Sequence, residues 1–351
     1  MKPTFPESEL NSLVNQGLIS RRKHPEFDLW ILNYTEKCTF QRHWDDVTEQ
    51  CRGLIVDGNF NIVSRPFRKF FTLNEWIGFD KEVPNESFEV YDKLDGSLGI
   101  TYVGPDGKMR ISTRGSFESP QAIRGNQLFQ EESCCHVLDP SLTFLFEIIC
   151  KESTYVVDYE GWEGLVLTGC FHTDSGVEVP IENCDWKRAE RYDFLKDFSA
   201  IPGVVNQTKG REGVVVKFRS GLRLKVKSDE YHRLFKIVSS VSKKHIWEML
   251  RSGATVKELT EIPGLPEWTR EFIEDSAAET WKTYNDIEYR SQMDFMNYHG
   301  PSDRKSFAAY ATQQRYPSIL FALHDGQHSK AAQLIWKFSE PKKEEIIVED
   351  T

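Results

Sequence analysis

The chain has 351 residues, with 44 Lys+Arg against 54 Asp+Glu and a formal net charge of −10. Hydrophobic residues at 39% and aromatic residues at 13% are enough to build real cores, so a disordered, solvating chain is excluded and two or three domains are permitted. No apolar run approaches the roughly 20 residues of a membrane helix. The stretch from Met1 to Pro6 lacks a signal-peptide core, and seven cysteines with no C-x-x-C pair fit free thiols in a reducing compartment. The expectation is a cytoplasmic protein without membrane partners, and secreted, zinc-ribbon and fibrous classes fall away.

Residues 1 to about 235 read as strand-rich with short helices. Leu54-Ile55-Val56 and Asn61-Ile62-Val63 flank Asp57-Gly58-Asn59, which predicts a hairpin. Leu98 to Val103 and Met109 to Ser112 flank Gly104-Pro105-Asp106-Gly107, which predicts another. Phe144 to Ile149 reads as a buried strand interrupted by one acid, Glu147. Many short strands with few crossover helices predict an antiparallel α+β fold. Beyond Ser228 the spacing turns helical. After the break at Pro263-Gly264-Leu265-Pro266, Ile273, Ala277, Trp281, Tyr284 and Ile287 form one apolar stripe. Segments from Lys305 to Gln314, Ser318 to His324 and Ser329 to Phe338 read as further helices, followed by an acidic tail with Glu344, Glu345, Glu349 and Asp350. His324 and His328 lack an obvious third metal ligand, and the adjacent Cys134 and Cys135 read as packing residues.

Charge is uneven. From Gly203 to Leu250 there are eleven Lys/Arg and four acids, a local +7 within the acidic chain. Arg223, Lys225 and Lys227 alternate with Leu224 and Val226, so the period of a strand puts the three cations on one face. Such a row repels itself unless an anion sits between its members, which points to a phosphate site. Lys217 and Arg219 are weaker candidates for the same role.

The segment that carries chemistry is Tyr91-Asp92-Lys93-Leu94-Asp95-Gly96-Ser97, a lysine beside an Asp-Gly turn. Downstream come Glu147 in its apolar strand, Glu212-Gly213 opening another, and Lys225-Val226-Lys227. In this order they resemble the nucleotidyltransferase motifs of ATP-dependent ligases and mRNA capping enzymes. The resemblance is closer to the RNA ligase 1 family of T-even bacteriophages. Cys51-Arg52-Gly53 and Ser64-Arg65-Pro66-Phe67-Arg68-Lys69-Phe70-Phe71-Thr72-Leu73-Asn74-Glu75 are similar to its C-R-G and S-R-P-x-x-K-F-F-x-L-N-E segments. Ser112-Thr113-Arg114-Gly115-Ser116, Lys225 to Tyr231 and Asp303 to Ala308 resemble its S-K-G-S, K-x-K-S-D-x-Y and D-R-K-[ST] segments. Two departures stand out: Arg114 replaces a lysine, and Ser153-Thr154-Tyr155-Val156 replaces N-R-I-V, so no arginine contact carries over to Thr154.

The resemblance implies an adenylyltransferase domain over 1–238, a helical RNA-specificity domain over 239–340 and the acidic tail over 341–351. It implies an ATP-dependent RNA ligase joining 5′-phosphate and 3′-OH ends. Lys93 would take up AMP, AMP would pass to an RNA 5′-phosphate, and an RNA 3′-OH would then close the bond. Lys93, Asp95, Lys225 and Lys227 are the expected catalytic set. Tyr34, Arg52, Lys69, Phe71, Gly96, Arg114, Glu147, Glu212, Lys225 and Lys227 are the expected nucleotide contacts. Asp95, Glu147 and Glu212 would hold Mg2+ or Mn2+ through water. An ordinary lysine is neutral in only about one case in 2,500 at pH 7. Lys225, Lys227 and the metal are therefore expected to depress Lys93 by about two units, raising the neutral fraction ~100-fold. The implied substrate is single-stranded RNA or nicked tRNA. With no kinase or phosphatase motif, a separate end-healing enzyme must prepare the ends, and a phage-encoded chain would work in the host cytoplasm. A DNA ligase, a GTP-dependent capping enzyme and a non-catalytic RNA-binding relative are the rival readings.

Overall fold

The computed structural model describes residues 3–133, 138–151, 153, 155–181 and 186–341. Cys134, Cys135, Thr154 and the acidic tail from 342 onward lie outside them. The chain divides into two compact units, the first ending at Phe235 and the second beginning at Lys236. No described helix is long and apolar enough to cross a membrane.

The first unit carries twelve described strands in three four-stranded sheets. β1 (Ile19–Lys23), β2 (Leu29–Tyr34), β3 (Arg52–Asp57) and β4 (Ile62–Ser64) form an antiparallel meander, and the Asp57 turn closes the β3–β4 hairpin as its sequence predicts. Its core holds Leu32, Leu54 and Val56 beneath the helix Glu7–Asn15.

The second sheet brings together two distant parts of the chain. After β5 (Phe71–Thr72) and β6 (Phe88–Lys93) come β7 (Ser97–Val103), β8 (Met109–Thr113), β9 (Leu142–Ile149) and β10 (Gly164–His172), arranged β10-β9-β7-β8. Alternation along β9 sends Phe144, Phe146 and Ile148 into a core with Leu128 and Phe129 of the helix Pro120–Ser133. Glu147 therefore belongs to the opposite face, across from Leu98 and Val166. This resolves the acid that interrupts an apolar run.

The third sheet adds β11 (Gly213–Phe218) and β12 (Arg223–Lys227) in the order β5-β12-β11-β6, antiparallel except for the short β12–β5 pair. Its back face, Val90, Val214, Val216, Leu224 and Val226, is core. Its front face carries the cations. Lys93 pairs with Gly213, which pairs with Lys227, so the three positions form one row across three strands.

The second unit is helical among its described residues, as the spacing predicts. The helices Lys243–Arg251, Val256–Thr260, Glu267–Met296, Arg304–Ala311, Pro317–His324 and His328–Phe338 succeed one another. In the long helix Ile273, Ala277 and Ile287 are buried, but Trp281 is 40% exposed and rests against Tyr284 and Trp336. Antiparallel sheets followed by helices make the α+β class plain.

Candidate active site

The front of the β6–β11–β12 sheet and the polar face of β7 and β9 enclose a cavity of about 620 Å³. Lys93, Lys225, Glu147, Arg52, Arg114 and Gly96 all line it. Asp95, Glu212 and Lys227 stand behind that lining and hold it in place, and Tyr34, Lys69 and Phe71 lie to one side.

The row geometry fixes the charges. Glu212 directly precedes Gly213, between the Lys93 and Lys227 strands. Its carboxylate takes the Lys93 Nζ on one oxygen at 2.8 Å and the Lys227 Nζ on the other at 2.8 Å. Gly213, which the sequence shows only as the start of the strand after Glu212, has a role of its own. It has φ +155°, and an added Cβ would lie 2.1 Å from the Val226 carbonyl oxygen, so the three strands close up in this row only around a glycine.

Lys93 does not behave as the sequence led us to expect. Burial opposes its charge, but Glu212, with Glu147 and Asp95, outweighs burial and holds the amine above its ordinary value. The depression expected for Lys93 falls on Lys225 instead. Burial, then Lys93, Arg52, Lys69 and Lys227, push Lys225 well below the ordinary lysine range. Its Nζ lies 4.9 Å from the Phe70 ring, and no carboxylate pairs with it among the described residues. The other strand cations have found protein anions: Arg223 and Lys217 share Glu178 at 2.6 and 2.8 Å. Arg219 is exposed. Of the expected phosphate row, only Lys225 is left open.

Arg52 has the same character. It is buried, its Nε and Nη1 have no hydrogen-bond partner, and its guanidinium stands 5.4 Å from the Phe70 ring. Beside it Arg114 donates from Nη1 to the Tyr34 hydroxyl at 2.9 Å. Burial pushes the Tyr34 phenol up, but Arg114, Arg52 and Lys69 outweigh that and hold it below its ordinary value. Two enclosed basic groups on one cavity wall, paired with no carboxylate among the described residues, are poised for an entering anion.

Glu147 looks into the same cavity. Burial, opposed by Lys93 and Arg52, raises its carboxyl to about 7. Gly96 sits against it: an added Cβ would lie 2.6 Å from the Ile148 carbonyl oxygen and 2.9 Å from Glu147 Cγ, so the Lys93 turn can touch β9 only without a side chain there.

Asp95 is a correction to the expected metal set. Its Oδ2 accepts backbone N–H bonds from Tyr155, Val156 and Val157 at 3.1, 2.6 and 2.8 Å, and its Oδ1 accepts the Tyr231 hydroxyl at 2.8 Å. Its own N–H donates to the Tyr159 hydroxyl at 2.9 Å. With both oxygens engaged, Asp95 positions the turn under Lys93 and is no open metal ligand. Tyr159, which sequence reading did not single out, completes that clamp. Among the described residues no three His, Cys, Asp or Glu side chains are grouped to hold a metal ion. Glu147 remains free to face one through water. Lys69 and Phe71 lie in an aromatic group beside the cavity, with the Lys69 Nζ 5.1 Å from the Phe71 ring.

The RNA ligase family profile matches residues 50–231, just over half of the chain. The chain belongs to the RNA ligase family. A Thermovibrio ammonificans protein named as a candidate RNA ligase is 35% identical over 113 residues, covering 30% of this chain. The match spans only 29% of that relative's length. Looser structural likenesses accompany this RNA ligase family member. An archaeal ATP-dependent RNA ligase is 17% identical with a TM-score of 0.48, over 88% of this chain and 86% of its own. A Naegleria gruberi RNA ligase variant with ATP and Mn is 19% identical with a TM-score of 0.35, over 48% of this chain and 56% of its own.

Proposed function

We propose that this family member is an ATP-dependent RNA ligase that joins 5′-phosphate and 3′-OH ends, and that Lys93 carries AMP between the two substrates. The observation that supports this most is the pairing of one amine, held by one shared carboxylate, with two basic side chains, on the wall of the same cavity, that no carboxylate pairs among the described residues. A polyphosphate entering there gains Lys225 and Arg52, and Arg114 stands next to it. Arrival of that charge favours the ammonium form of Lys225 against the depression that burial and the neighbouring cations impose.

Lys93 becomes a nucleophile once Glu212 lets it go. Lys227 holds the other oxygen of that carboxylate, so Glu212 keeps a counter-ion when Lys93 turns to the α-phosphate. The amine loses a proton through the cavity, the Nζ–P bond forms, and the P–O bond to pyrophosphate breaks with its electron pair on the leaving oxygen. AMP then passes to the RNA 5′-phosphate, freeing Lys93, and attack by a 3′-OH releases AMP. Glu147 on the wall would hold a divalent cation through water, and that cation would supply charge neutralisation at the phosphates, whereas Glu212, with both oxygens on Lys93 and Lys227, is closed to it. Mg2+ or Mn2+ would serve. Repair of nicked tRNA, after a separate enzyme has healed the ends, is the role that fits such a reaction.

The test is sealing of a labelled single-stranded RNA with 5′-phosphate and 3′-OH ends. ATP-dependent joining supports the reading. GTP preference, exclusive use of DNA ends, or RNA binding with no covalent intermediate would favour the rivals in turn.

A further inference from the structure

Beside the cavity an aromatic ladder runs outward from Tyr34. The Tyr34 and Trp44 rings are 5.1 Å apart, Trp44 and Phe71 5.6 Å, and Phe71 and Phe79 5.2 Å, with Trp76 at 6.3 Å from Phe71. A cation stands over each stage. Arg114 lies 5.1 Å from the Tyr34 ring, and Lys69 is 5.1 Å from Trp44. Lys81 is 4.6 Å from Trp76, and Arg42 is 5.8 Å from Phe79. Lys81 and Arg42 are exposed, and so are Phe40 at 90% and Ile77 at 56%, which lie on the helices Glu36–Gln41 and Leu73–Gly78.

Rings and cations of this kind often just stabilise a surface. Three features go beyond that. Lys69, Lys81 and Arg42 form no ion pair with a carboxylate among the described residues, although Asp80 and Glu82 flank Lys81 in sequence. The ladder is continuous, through Arg114, with the cavity wall. A large aromatic ring, Phe40, two residues before Arg42 in the chain, is left open to solvent. Tyr34 and Phe71 are buried and Lys69 faces Glu75, so the inner rungs are packing. The half-buried rings of Trp76 and Phe79, with the exposed, unpaired Lys81 and Arg42, offer what a single-stranded polynucleotide requires: rings for bases and charges for phosphates.

The geometry points to the outer rungs of this ladder as the track for single-stranded RNA, leading one end of the strand to the Lys93 cavity; the inference rests on the ligase reading above. Phe79 and Trp76 take bases, and Lys81 and Arg42 take phosphates.

The experiment titrates a fluorescent single-stranded oligoribonucleotide with the full chain at several salt concentrations and follows anisotropy. Two surface changes are combined, Lys81→Ala and Arg42→Asn, the latter because Asn tolerates the left-handed backbone of Arg42 at φ 52°. The slope of log K against log salt should fall in magnitude by about 1.4, two phosphate contacts at about 0.7 each. Phe79→Leu should weaken binding about tenfold. Formation of the AMP adduct by the double variant should match wild type, since neither residue touches the cavity. Wild-type affinity and salt slope in the double variant would overturn the proposal, as would equal affinity of the wild type for double-stranded RNA, whose paired bases cannot stack on the rings. An absence of AMP adduct in the wild type would instead defeat the ligase reading.

Discussion

Lys93 and Lys227 lie one strand to either side of Gly213, and the single carboxylate of Glu212 joins their amines, each at 2.8 Å. The side chains of both lysines are 9% exposed and that of Glu212 is fully enclosed, so this bridge is a buried cation–anion–cation triad. Its integrity and its release are the two halves of the mechanism.

Glu212→Gln leaves both buried amines without their counter-charge. The variant should lose about 3 kcal/mol of stability, read as a lower urea midpoint. With the largest influence raising it gone, the Lys93 amine should also fall in pKa and react faster with a water-soluble acylating reagent at neutral pH. Unchanged labelling of Lys93 would contradict the bridge.

Glu147 gives a pH dependence. Its folded value of about 7 lies above the ordinary 4.5. The neutral carboxyl is favoured by the fold, so its contribution is fully present below about 4.5 and is lost as pH rises through 7. Glu147→Gln should therefore melt higher than wild type at pH 8, with the difference vanishing near pH 4.5. In the proposed reaction it is the ionised form that faces a metal through water, so the wild-type rate of adduct formation should rise with a midpoint near 7, and the variant should form little adduct at any pH.

Lys225 predicts a proton balance. Because its amine is held well below the ordinary lysine range, pyrophosphate binding should be accompanied by proton uptake. Calorimetry in buffers of different ionisation enthalpy reads this directly, and Lys225→Met should abolish the uptake. Proton release in the wild type would contradict the assignment.

Gly213→Ala should cost about 2 kcal/mol or more, because the new Cβ meets the Val226 carbonyl oxygen at 2.1 Å with φ at +155°. Gly203, within the helix Ile201–Gln207, has nothing within 4 Å of an added Cβ. There the same change should be neutral or stabilising by up to about 1 kcal/mol. Thermal melts of the two variants make the comparison.

Much of this was legible in the residues. Local pattern exposed the Asp57 and Gly104–Gly107 hairpins, the strand through Glu147 and the helices after Pro266, because period and turn chemistry act over a few neighbours. The candidate residues could be named because Lys93, Glu212 and Lys225-Val226-Lys227 each sit in a short recognisable segment. Which charge meets which was not legible. That Glu212 would bridge Lys93 and Lys227 depends on the register of β6 against β11, which lie more than a hundred residues apart in the chain. That Glu178 would neutralise Arg223 and Lys217 depends on where β10 leaves its sheet. The direction in which those pairings move Lys93 was therefore not legible either. Asp95 looked like a metal ligand because its three backbone donors come from 155–157, a segment with no side-chain signature.

The most direct test treats the full chain with ATP and Mg2+, digests it at alkaline pH where a phosphorus–nitrogen bond survives, and maps the modified peptide by mass spectrometry. The account predicts one adenylyl group, on Lys93, lost in Lys93→Ala. An adenylyl group on any other residue, or a Lys93→Ala protein that still carries one, would contradict it.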